Sequence, residues 1–327
     1  MSRQPSSIHY IVLSRRQVLW AGAGWLGLTL LAPQASWASN VSPLSAQAIK
    51  QLNQAVPGGV AVVPLGQAAI PPRVAFKGSE VLVIGYQNQW YAIVGLSLDT
   101  KPGTHLLSFL SQKTDLKSQT TQGKQSIQAV LQNIQADALQ SAQAGSFEVR
   151  DKTYPAQHIT LKNKRQVNPN PADLTRINKE LALQNKAYAI FSSARPSNVL
   201  FDPPVKGRLS SPFGLKRFFN GEPRNPHSGL DFAVPTGTLV QTPASGRIVL
   251  VGDYFFNGKT IFVDHGSGLI SMFCHLSSID RQVGDDVKRY EVIGKVGSTG
   301  RATGPHLHWN VSLNNARVDP AIFLTSK

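Results

Sequence analysis

The chain is 327 residues long, which is enough for two domains that each bury a core of their own. Its 33 lysines and arginines outnumber 18 acidic residues, and the net charge of +15 favours an anionic partner such as a cell-wall polymer, a membrane surface or nucleic acid. Zinc-finger spacing, RNP-like motifs and interleaved aromatic and basic residues are absent from the sequence, so we expect no nucleic-acid partner.

Residues 1–38 have the pattern of an export signal. Twin arginines at Arg15 and Arg16 precede an apolar run at residues 18–32, which at about 15 residues is shorter than the roughly 20 needed to span a bilayer. Small residues at Ser36 and Ala38 offer a cleavage site after Ala38. We therefore predict an exported protein with no stable membrane span after cleavage, the alternative being an uncleaved anchor helix.

Residues 39–165 have the pattern of a small β-sandwich domain. A short helix is predicted at 45–55, and strand patterns separated by Gly, Pro, Asn and Asp clusters follow it. The strongest strand patterns are 60–64, 81–86, 90–94, 105–110 and 157–161. A glutamine-rich run at 118–143 is typical of a flexible insertion. His105 and His158 lack partners at ligand spacing, so we interpret both as structural.

Residues 166–201 are predicted to form a helical linker. Asn170 has the place of an N-cap and Pro171 that of the first helical residue. Apolar side chains then recur at helical spacing, at Leu174, Ile177, Leu181 and Tyr188. The pattern predicts one amphipathic helix that ends near Lys186 and packs against a domain.

Residues 202–327 favour an antiparallel β-sheet domain, so the whole chain is predicted to be mainly β. Dense glycine turns separate the strand patterns, and no long helical pattern lies between them. The predicted strands are 229–233, 246–253, 259–265, 269–275, 292–296 and 306–313. The glycine-rich run at 297–304 lacks the G-K-[ST] ending of a phosphate loop, so we interpret it as a loop that lines a groove.

Five side chains of this region have the chemistry of a catalytic zinc site. His227 and Asp231 are four residues apart, while His306 and His308 share one face of a strand pattern, about 7 Å apart. His275 ends another apolar strand pattern. Imidazole and carboxylate are ligands that zinc takes, and three protein ligands plus water are typical of a catalytic site. Each motif alone is common among structural histidines, but together they favour a metal site.

Cys274 is the only cysteine of the chain, so no disulfide can form within it. Adjacent residues of a strand point to opposite faces, and we therefore expect Cys274 to face away from His275. Core packing is favoured over a nucleophilic thiol.

The motifs are similar, and in the same order, to those of the lysostaphin-like (LytM-type) murein metalloendopeptidases. The matching segments are 210–214, 226–233, 235–238, 246–249, 263–266, 272–276 and 304–308. The resemblance as a whole extends over roughly residues 202–324. One departure is Phe273, which stands where the family commonly has tyrosine.

The resemblance implies that His227, Asp231 and His308 hold Zn²⁺, and that His275 and His306 act on substrate and water. The glutamate base of an H-E-x-x-H motif is absent from the sequence, so one of these two histidines is expected to accept the proton of the attacking water.

The function that the resemblance implies is hydrolysis of peptide bonds in peptidoglycan stem or cross-link peptides, by a periplasmic enzyme of cell-wall remodelling. Arg217 and Arg224, close to the first ligand in sequence, are candidate contacts for substrate carboxylates, with a solvated surface as the alternative. Two functions without catalysis stay open: a catalytically silent activator of an amidase, and a wall-binding protein.

Overall fold

The computed structural model describes residues 43–111, 143–161 and 163–325, and these described residues belong to one compact unit. The predicted export signal lies outside the described residues, as does all but the last residue of the predicted insertion at 118–143. Neither of the two α-helices that the structure describes has the length and apolar character needed to cross a membrane.

Among the described residues, the N-terminal part has one short helix, α1 (Ala46–Leu52), two small antiparallel sheets and one further strand, β8 (Ala156–Ile159). The strands are β1 (Val60–Gly66), β2 (Val74–Phe76), β3 (Ser79–Glu80), β4 (Leu82–Tyr86), β5 (Gln89–Gly95), β6 (Gly103–Phe109), β7 (Gln143–Val149) and β8 (Ala156–Ile159). One sheet has the order β1-β5-β4 and the other β3-β2-β6-β7. Val63 of β1 belongs to one buried cluster with Val74 of β2 and Leu107 of β6, so the two sheets share a core and the predicted sandwich-like arrangement is confirmed.

The C-terminal part is built on one large sheet. Its strands and the short strands beside it are β9 (Arg208–Ser211), β10 (Lys216–Phe219), β11 (Glu222–Pro223), β12 (Leu230–Ala233), β13 (Leu239–Gln241), β14 (Gly246–Tyr254), β15 (Gly258–Gly266), β16 (Leu269–Ile279), β17 (Asp286–Val287), β18 (Val292–Val296), β19 (Leu307–Leu313) and β20 (Ala316–Val318). The sheet runs β17-β14-β15-β16-β19-β12-β9, and every pair in it is antiparallel. The predicted antiparallel, mainly β fold is therefore confirmed.

Strands β15, β16 and β19 lie in the interior of the large sheet and are buried along most of their length. Phe273 of β16 and Trp309 of β19 are fully buried, and they are cross-strand partners. Strands covered on both faces lose the alternation of apolar and polar residues, and this continuous burial fixes the strands that carry His275 and His308.

The linker helix α2 (Pro171–Tyr188) begins where the sequence predicts and ends two residues beyond the predicted end. Its start is a capping box, in which the Asn170 side chain accepts a hydrogen bond from Asp173 N while Asp173 accepts one from Asn170 N. The helix packs against β14.

The prediction of which residues form the buried face of α2 is wrong in part. Ile177 and Tyr188 are buried, but Leu174 and Leu181 are 48% and 45% exposed. Asp173, which is paired with Arg165, is only 3% exposed, so the buried face follows Asp173 and Ile177 and turns the two leucines outward.

The N-terminal and C-terminal parts are joined by more than the linker. Strand β8 pairs in parallel with β10. Leu52 and Ile93 of the N-terminal part belong to the same buried cluster as Val311 and Leu313 of β19. The predicted limits at residues 165 and 201 mark changes of sequence pattern, and as domain boundaries they stay predictions.

Candidate metal centre

Three of the five predicted site residues meet at the junction of β12 and β19. Asp231 of β12 lies directly opposite His308 of β19 in the antiparallel register. Directly opposite residues have Cβ atoms about 4.5–5.5 Å apart, which brings the two side chains together. His227 precedes β12, and its backbone is fixed by hydrogen bonds to Gly214 and Leu215.

The donor atoms of these three side chains converge. Asp231 Oδ1 lies 2.7 Å from His308 Nδ1 and 3.0 Å from His227 Nε2, and the two nitrogens lie 3.0 Å apart. All three side chains are buried, with 1% of His227, 6% of Asp231 and 9% of His308 exposed. Within the part of the chain that the structure describes, they form the one group of histidine, cysteine or acidic residues able to hold a metal ion.

In each of the two candidate ligand histidines, the ring nitrogen that points away from Asp231 (the outward nitrogen) lies at hydrogen-bond distance from an oxygen atom. His227 Nδ1 lies 2.7 Å from the carbonyl oxygen of Pro212, which can only accept, so the proton is on Nδ1 and the lone pair is on Nε2. His308 Nε2 lies 2.8 Å from Asn310 Oδ1. The Asn310 amide is oriented by its Nδ2, which donates to Ser228 O at 2.6 Å, so its oxygen must face His308.

This proton arrangement fits a zinc ion. With both outward nitrogens protonated, His227 Nε2 and His308 Nδ1 present two lone pairs to each other at 3.0 Å, and a buried carboxylate oxygen lies beside them. Three acceptors without a proton between them need a cation. Zinc binds imidazole nitrogen and carboxylate oxygen at about 2.0–2.2 Å, which lets one ion contact all three atoms.

The surroundings of the site also favour a neutral imidazole at His227 and an ionised carboxylate at Asp231. Burial lowers the pKa of His227 to about 4, so the imidazole is neutral at neutral pH. Burial alone would raise the pKa of Asp231, but its close contacts with His227 and His308 hold it well below its usual value. The guanidinium of Arg217 also contacts this carboxylate, at 3.2 Å from Asp231 Oδ2. Neutral imidazole and ionised carboxylate are the forms that bind a metal.

His275 reaches the centre through a β-bulge. The pairing of β15 with β16 shifts between the pairs Ile261–Phe273 and Lys259–Leu276, and His275 has a left-handed backbone with φ of 61°. Bulges re-aim side chains, and non-glycine residues in this conformation are strained. The ring centroid of His275 lies 4.7 Å from that of His306 and 6.0 Å from that of His308.

The glycine-rich loop at residues 297–304 sets the protons of both additional histidines. His275 Nδ1 lies 2.8 Å from Thr299 O, and His306 Nδ1 lies 2.9 Å from Gly304 O. Because a carbonyl accepts only, each Nδ1 carries the proton and each Nε2 is left as a proton acceptor. Burial, with the charges of His306 and His308, lowers the pKa of His275 to about 3, so its ring is neutral.

Cys274 is packed as the alternation of strand residues predicts. It is 1% exposed, belongs to a buried cluster with Tyr188 and Met272, and burial raises the pKa of its thiol well above the usual value. A buried, protonated thiol is not a nucleophile.

The two arginines predicted to contact substrate lie on protein carboxylates in this structure. Arg217 pairs with Asp231, and Arg224 pairs with Glu222 while donating to Val167 O at 3.0 Å. Their predicted role at substrate carboxylates stays a prediction.

Sequence reasoning missed Asn310 and Thr299. Asn310 follows His308 by two residues on the same buried strand, so the period of two was a signal that could have found it. Thr299 gave no such signal, because its backbone carbonyl makes the contact.

Comparison with known proteins agrees with this geometry. Two family models match the chain: peptidase family M23 over residues 225–320, and the peptidase family M23 N-terminal domain over residues 53–124. A crystal structure of a Pseudomonas aeruginosa protein assigned to peptidase M23 is 46% identical in sequence, with a TM-score of 0.66, and the match covers 85% of this chain and 98% of that one. The chain belongs to peptidase family M23.

Curated relatives match over a shorter stretch. DD-carboxypeptidase/endopeptidase Mpg of Neisseria meningitidis is 40% identical over 119 residues, which are 36% of this chain and 27% of the relative. Peptidoglycan DD-endopeptidase ShyA of Vibrio cholerae is 37% identical over 115 residues, which are 35% of this chain and 27% of the relative. The chain therefore matches 27% of the length of each of these two relatives.

Proposed function

We propose that this protein is a zinc-dependent endopeptidase that hydrolyses peptide bonds in the stem or cross-link peptides of peptidoglycan, and so remodels the cell wall. One observation carries the proposal: the donor atoms of His227, Asp231 and His308 lie within 3.0 Å of one another, with the rings of His275 and His306 beside them. Similarity to DD-endopeptidases supports a D-alanyl–diaminopimelate cross-link as the substrate.

His227 Nε2, His308 Nδ1 and Asp231 Oδ1 are the atoms that would hold zinc. Bound there, zinc supplies a water of pKa about 7 and polarises the substrate carbonyl. The carbonyl of Pro212 and the amide of Asn310 keep the two imidazoles in the tautomer that this binding requires.

His275 and His306 would move the proton. Each has Nδ1–H committed to a loop carbonyl and Nε2 free to accept, so either has the form of the general base. The base takes one proton from water as the water oxygen bonds to the amide carbon, and gives it to the amine nitrogen as the carbon–nitrogen bond breaks. The other histidine, when protonated, can donate a hydrogen bond to the oxyanion.

We further propose that the protein acts in the periplasm. The twin-arginine pattern of residues 1–38 and the location of peptidoglycan outside the cytoplasm support this. Cell fractionation, with and without substitution of Arg15 and Arg16 by lysine, tests it: a full-length protein that stays cytoplasmic in both cases contradicts export.

The zinc site and the catalytic histidines are tested by separate substitutions. His308→Ala should lose both bound zinc and activity because it removes a ligand, whereas His306→Ala should keep zinc and lose activity, by about 100-fold or more. Zinc content by mass spectrometry and release of muropeptides from purified sacculi measure the two effects. His105→Ala, in the N-terminal sheets, is the matched control and should change neither.

Turnover that persists in His308→Ala would contradict the proposal, as would loss of zinc from His306→Ala. A zinc-free wild-type protein that releases no product from sacculi would instead support the silent activator of an amidase, and binding to sacculi that survives a chelator without new products would support a wall-binding protein.

A further inference from the structure

The guanidinium groups of Arg217, Arg224 and Arg301 lie close enough together to interact, and Arg217 contacts Asp231 of the candidate metal centre. The charges of Arg217 and Arg224 act on Arg301, and with burial as the main cause they lower its pKa to about 10. Arg217 has Asp231 as its counter-ion, and Arg224 has Glu222. No carboxylate of residues 43–111, 143–161 or 163–325 pairs with Arg301.

Arg301 is nevertheless held in place. Its guanidinium carbon lies 4.1 Å from the ring centroid of Phe256 and 4.7 Å from that of Phe219. Its Nη1 donates to Gln166 O at 3.3 Å, and its backbone N–H donates to Phe256 O at 2.8 Å. Aromatic faces and a carbonyl stabilise a cation only in part, so a partly buried, positioned guanidinium keeps capacity for an anion.

Arg301 is close in sequence to residues that hold or form the candidate catalytic histidines. It lies in the loop at 297–304, two residues after Thr299, whose carbonyl holds His275, and five residues before His306. Its neighbour Arg217 contacts the carboxylate of Asp231. The loop that sets the protons of both additional histidines therefore also carries Arg301, which is the one of the three arginines without a carboxylate partner among the described residues.

We propose that Arg301 binds a free carboxylate of the substrate next to the scissile peptide bond, and so selects anionic cross-links over neutral ones. This inference rests on the proposed peptidoglycan endopeptidase function. In a D-alanyl–diaminopimelate cross-link, the carbon bonded to the scissile nitrogen also bears a free carboxylate. A planar guanidinium that packs on two aromatic rings presents the paired N–H donors that bind such a group.

The test uses two synthetic cross-linked peptides that differ in one group: the carboxylate next to the scissile bond is free in one and a carboxamide in the other. The wild-type protein should cleave the free-carboxylate peptide with a kcat/KM about 10- to 100-fold higher, because one charge-assisted contact distinguishes the two. Arg301→Gln should reduce kcat/KM on the carboxylate peptide by the same factor and leave the carboxamide peptide unchanged, so that the preference disappears.

Two controls separate this effect from misfolding and from loss of metal. Arg247→Gln removes one exposed positive charge that is 3.9 Å from Asp286, and it should keep the preference. Zinc content should be the same in wild type, Arg301→Gln and Arg247→Gln. Arg301→Lys, which keeps the charge but not the planar fork, should recover part of the preference.

Binding of the two peptides to zinc-depleted protein gives a readout that does not depend on turnover. Wild type should bind the free-carboxylate peptide about 10-fold more tightly, or better, than the carboxamide peptide. Arg301→Gln should bind the two peptides with equal affinity. Equal cleavage and equal binding of the two peptides by wild type would overturn the role of Arg301 while leaving the endopeptidase function in place. Cleavage of neither peptide by the zinc-loaded protein would count against the function itself, and the binding comparison would still decide the role of Arg301.

Discussion

The side chain of Asn310 controls which ring nitrogen of His308 carries the proton. Its Oδ1 accepts from His308 Nε2 at 2.8 Å, and its Nδ2 is fixed by Ser228 O at 2.6 Å and Ser228 Oγ at 3.0 Å. Without this acceptor, the His308 proton can move to Nδ1, where it would oppose a cation. Outer partners of this kind typically change metal affinity 10- to 100-fold.

We predict that Asn310→Leu weakens zinc binding by about 10- to 100-fold while the fold is kept. Asn310→Asp still accepts the His308 proton and should stay within about 10-fold of wild type, although its second oxygen then faces Ser228 O. Competition with a chromophoric chelator measures both affinities. An Asn310→Leu protein that binds zinc as tightly as wild type would show that the tautomer of His308 is set in another way.

The residues of the candidate site were predictable in part, because their motifs stand on strand patterns. The motifs favoured a metal site, and the family resemblance implied His227, Asp231 and His308 as its ligands. The structure brings the donor atoms of these three side chains to 2.7–3.0 Å from one another. The outer partners of the site's histidines were not predictable where they are backbone carbonyls, as at Pro212 and Thr299. Every residue has a carbonyl, and only the folded loop decides which one faces a histidine.

At the scale of elements, six strands of the C-terminal sheet were predicted to within four residues, whereas β9, β13, β17 and β20 were not predicted. The conformation at the end of the apolar part of β16 was not predicted either. The pattern at 269–275 ends at His275, whereas β16 continues to Ile279 through a bulge. A positive φ at a histidine opposes local preference and exists because the surrounding contacts impose it. His275 N donates to Asn257 O at 2.9 Å, and its ring is held by Thr299 O.

Thr299 connects three elements at this bulge. Its hydroxyl donates to Leu276 O at 2.8 Å and accepts from Lys259 N at 2.9 Å, which ties the loop at 297–304 to β15 and β16. Its carbonyl then lies where it accepts the proton of His275 Nδ1. The hydroxyl therefore positions a histidine that it does not touch.

We predict that Thr299→Val lowers kcat about 10-fold with little change in KM, because the isosteric side chain loses both hydrogen bonds and loosens the His275 ring. Thr299→Ser keeps the hydroxyl and should recover most of the rate. Zinc content should not change in either variant, and nitrogen NMR of the His275 ring should show a mixture of tautomers only in Thr299→Val. Equal rates for the valine and serine variants would contradict this positioning role.

At the scale of the whole molecule, two domains are predicted from the change in sequence pattern, and one of the buried clusters of the described residues contains side chains of both parts. A sequence pattern shows that a strand has an apolar face but not which other strand will cover that face. The contact between β5 and the turn after β19 is an example. Asn314 Oδ1 accepts from Gly95 N at 2.6 Å, and Asn314 Nδ2 donates to Gly95 O at 3.1 Å, so a side-chain amide pairs with the strand as a peptide group would.

This contact requires particular residues on both sides. A Cβ atom at Gly95 would lie 2.7 Å from Leu313 Cβ, so only glycine allows the approach without a shift of the backbone. Asn314 itself has φ of 41°, a conformation that asparagine tolerates better than most residues. Both Asn314 and the N–H and C=O groups of Gly95 that it pairs with are buried.

We predict that Asn314→Gly lowers the free energy of unfolding by about 2–4 kcal/mol, because it keeps the positive φ but leaves two buried backbone groups without partners. Asn315→Gly, at the exposed next position with φ of 65°, keeps the contact to Gly95 and should change stability by about 0.5 kcal/mol or less. Urea unfolding measures both values, and hydrogen exchange in β5 and β19 shows whether the two strands open together. Because the core cluster is shared, Asn314→Gly should lower one common transition. Exchange that becomes fast in β5 while β19 stays protected would show instead that the N-terminal sheets unfold independently of the sheet that carries the metal centre.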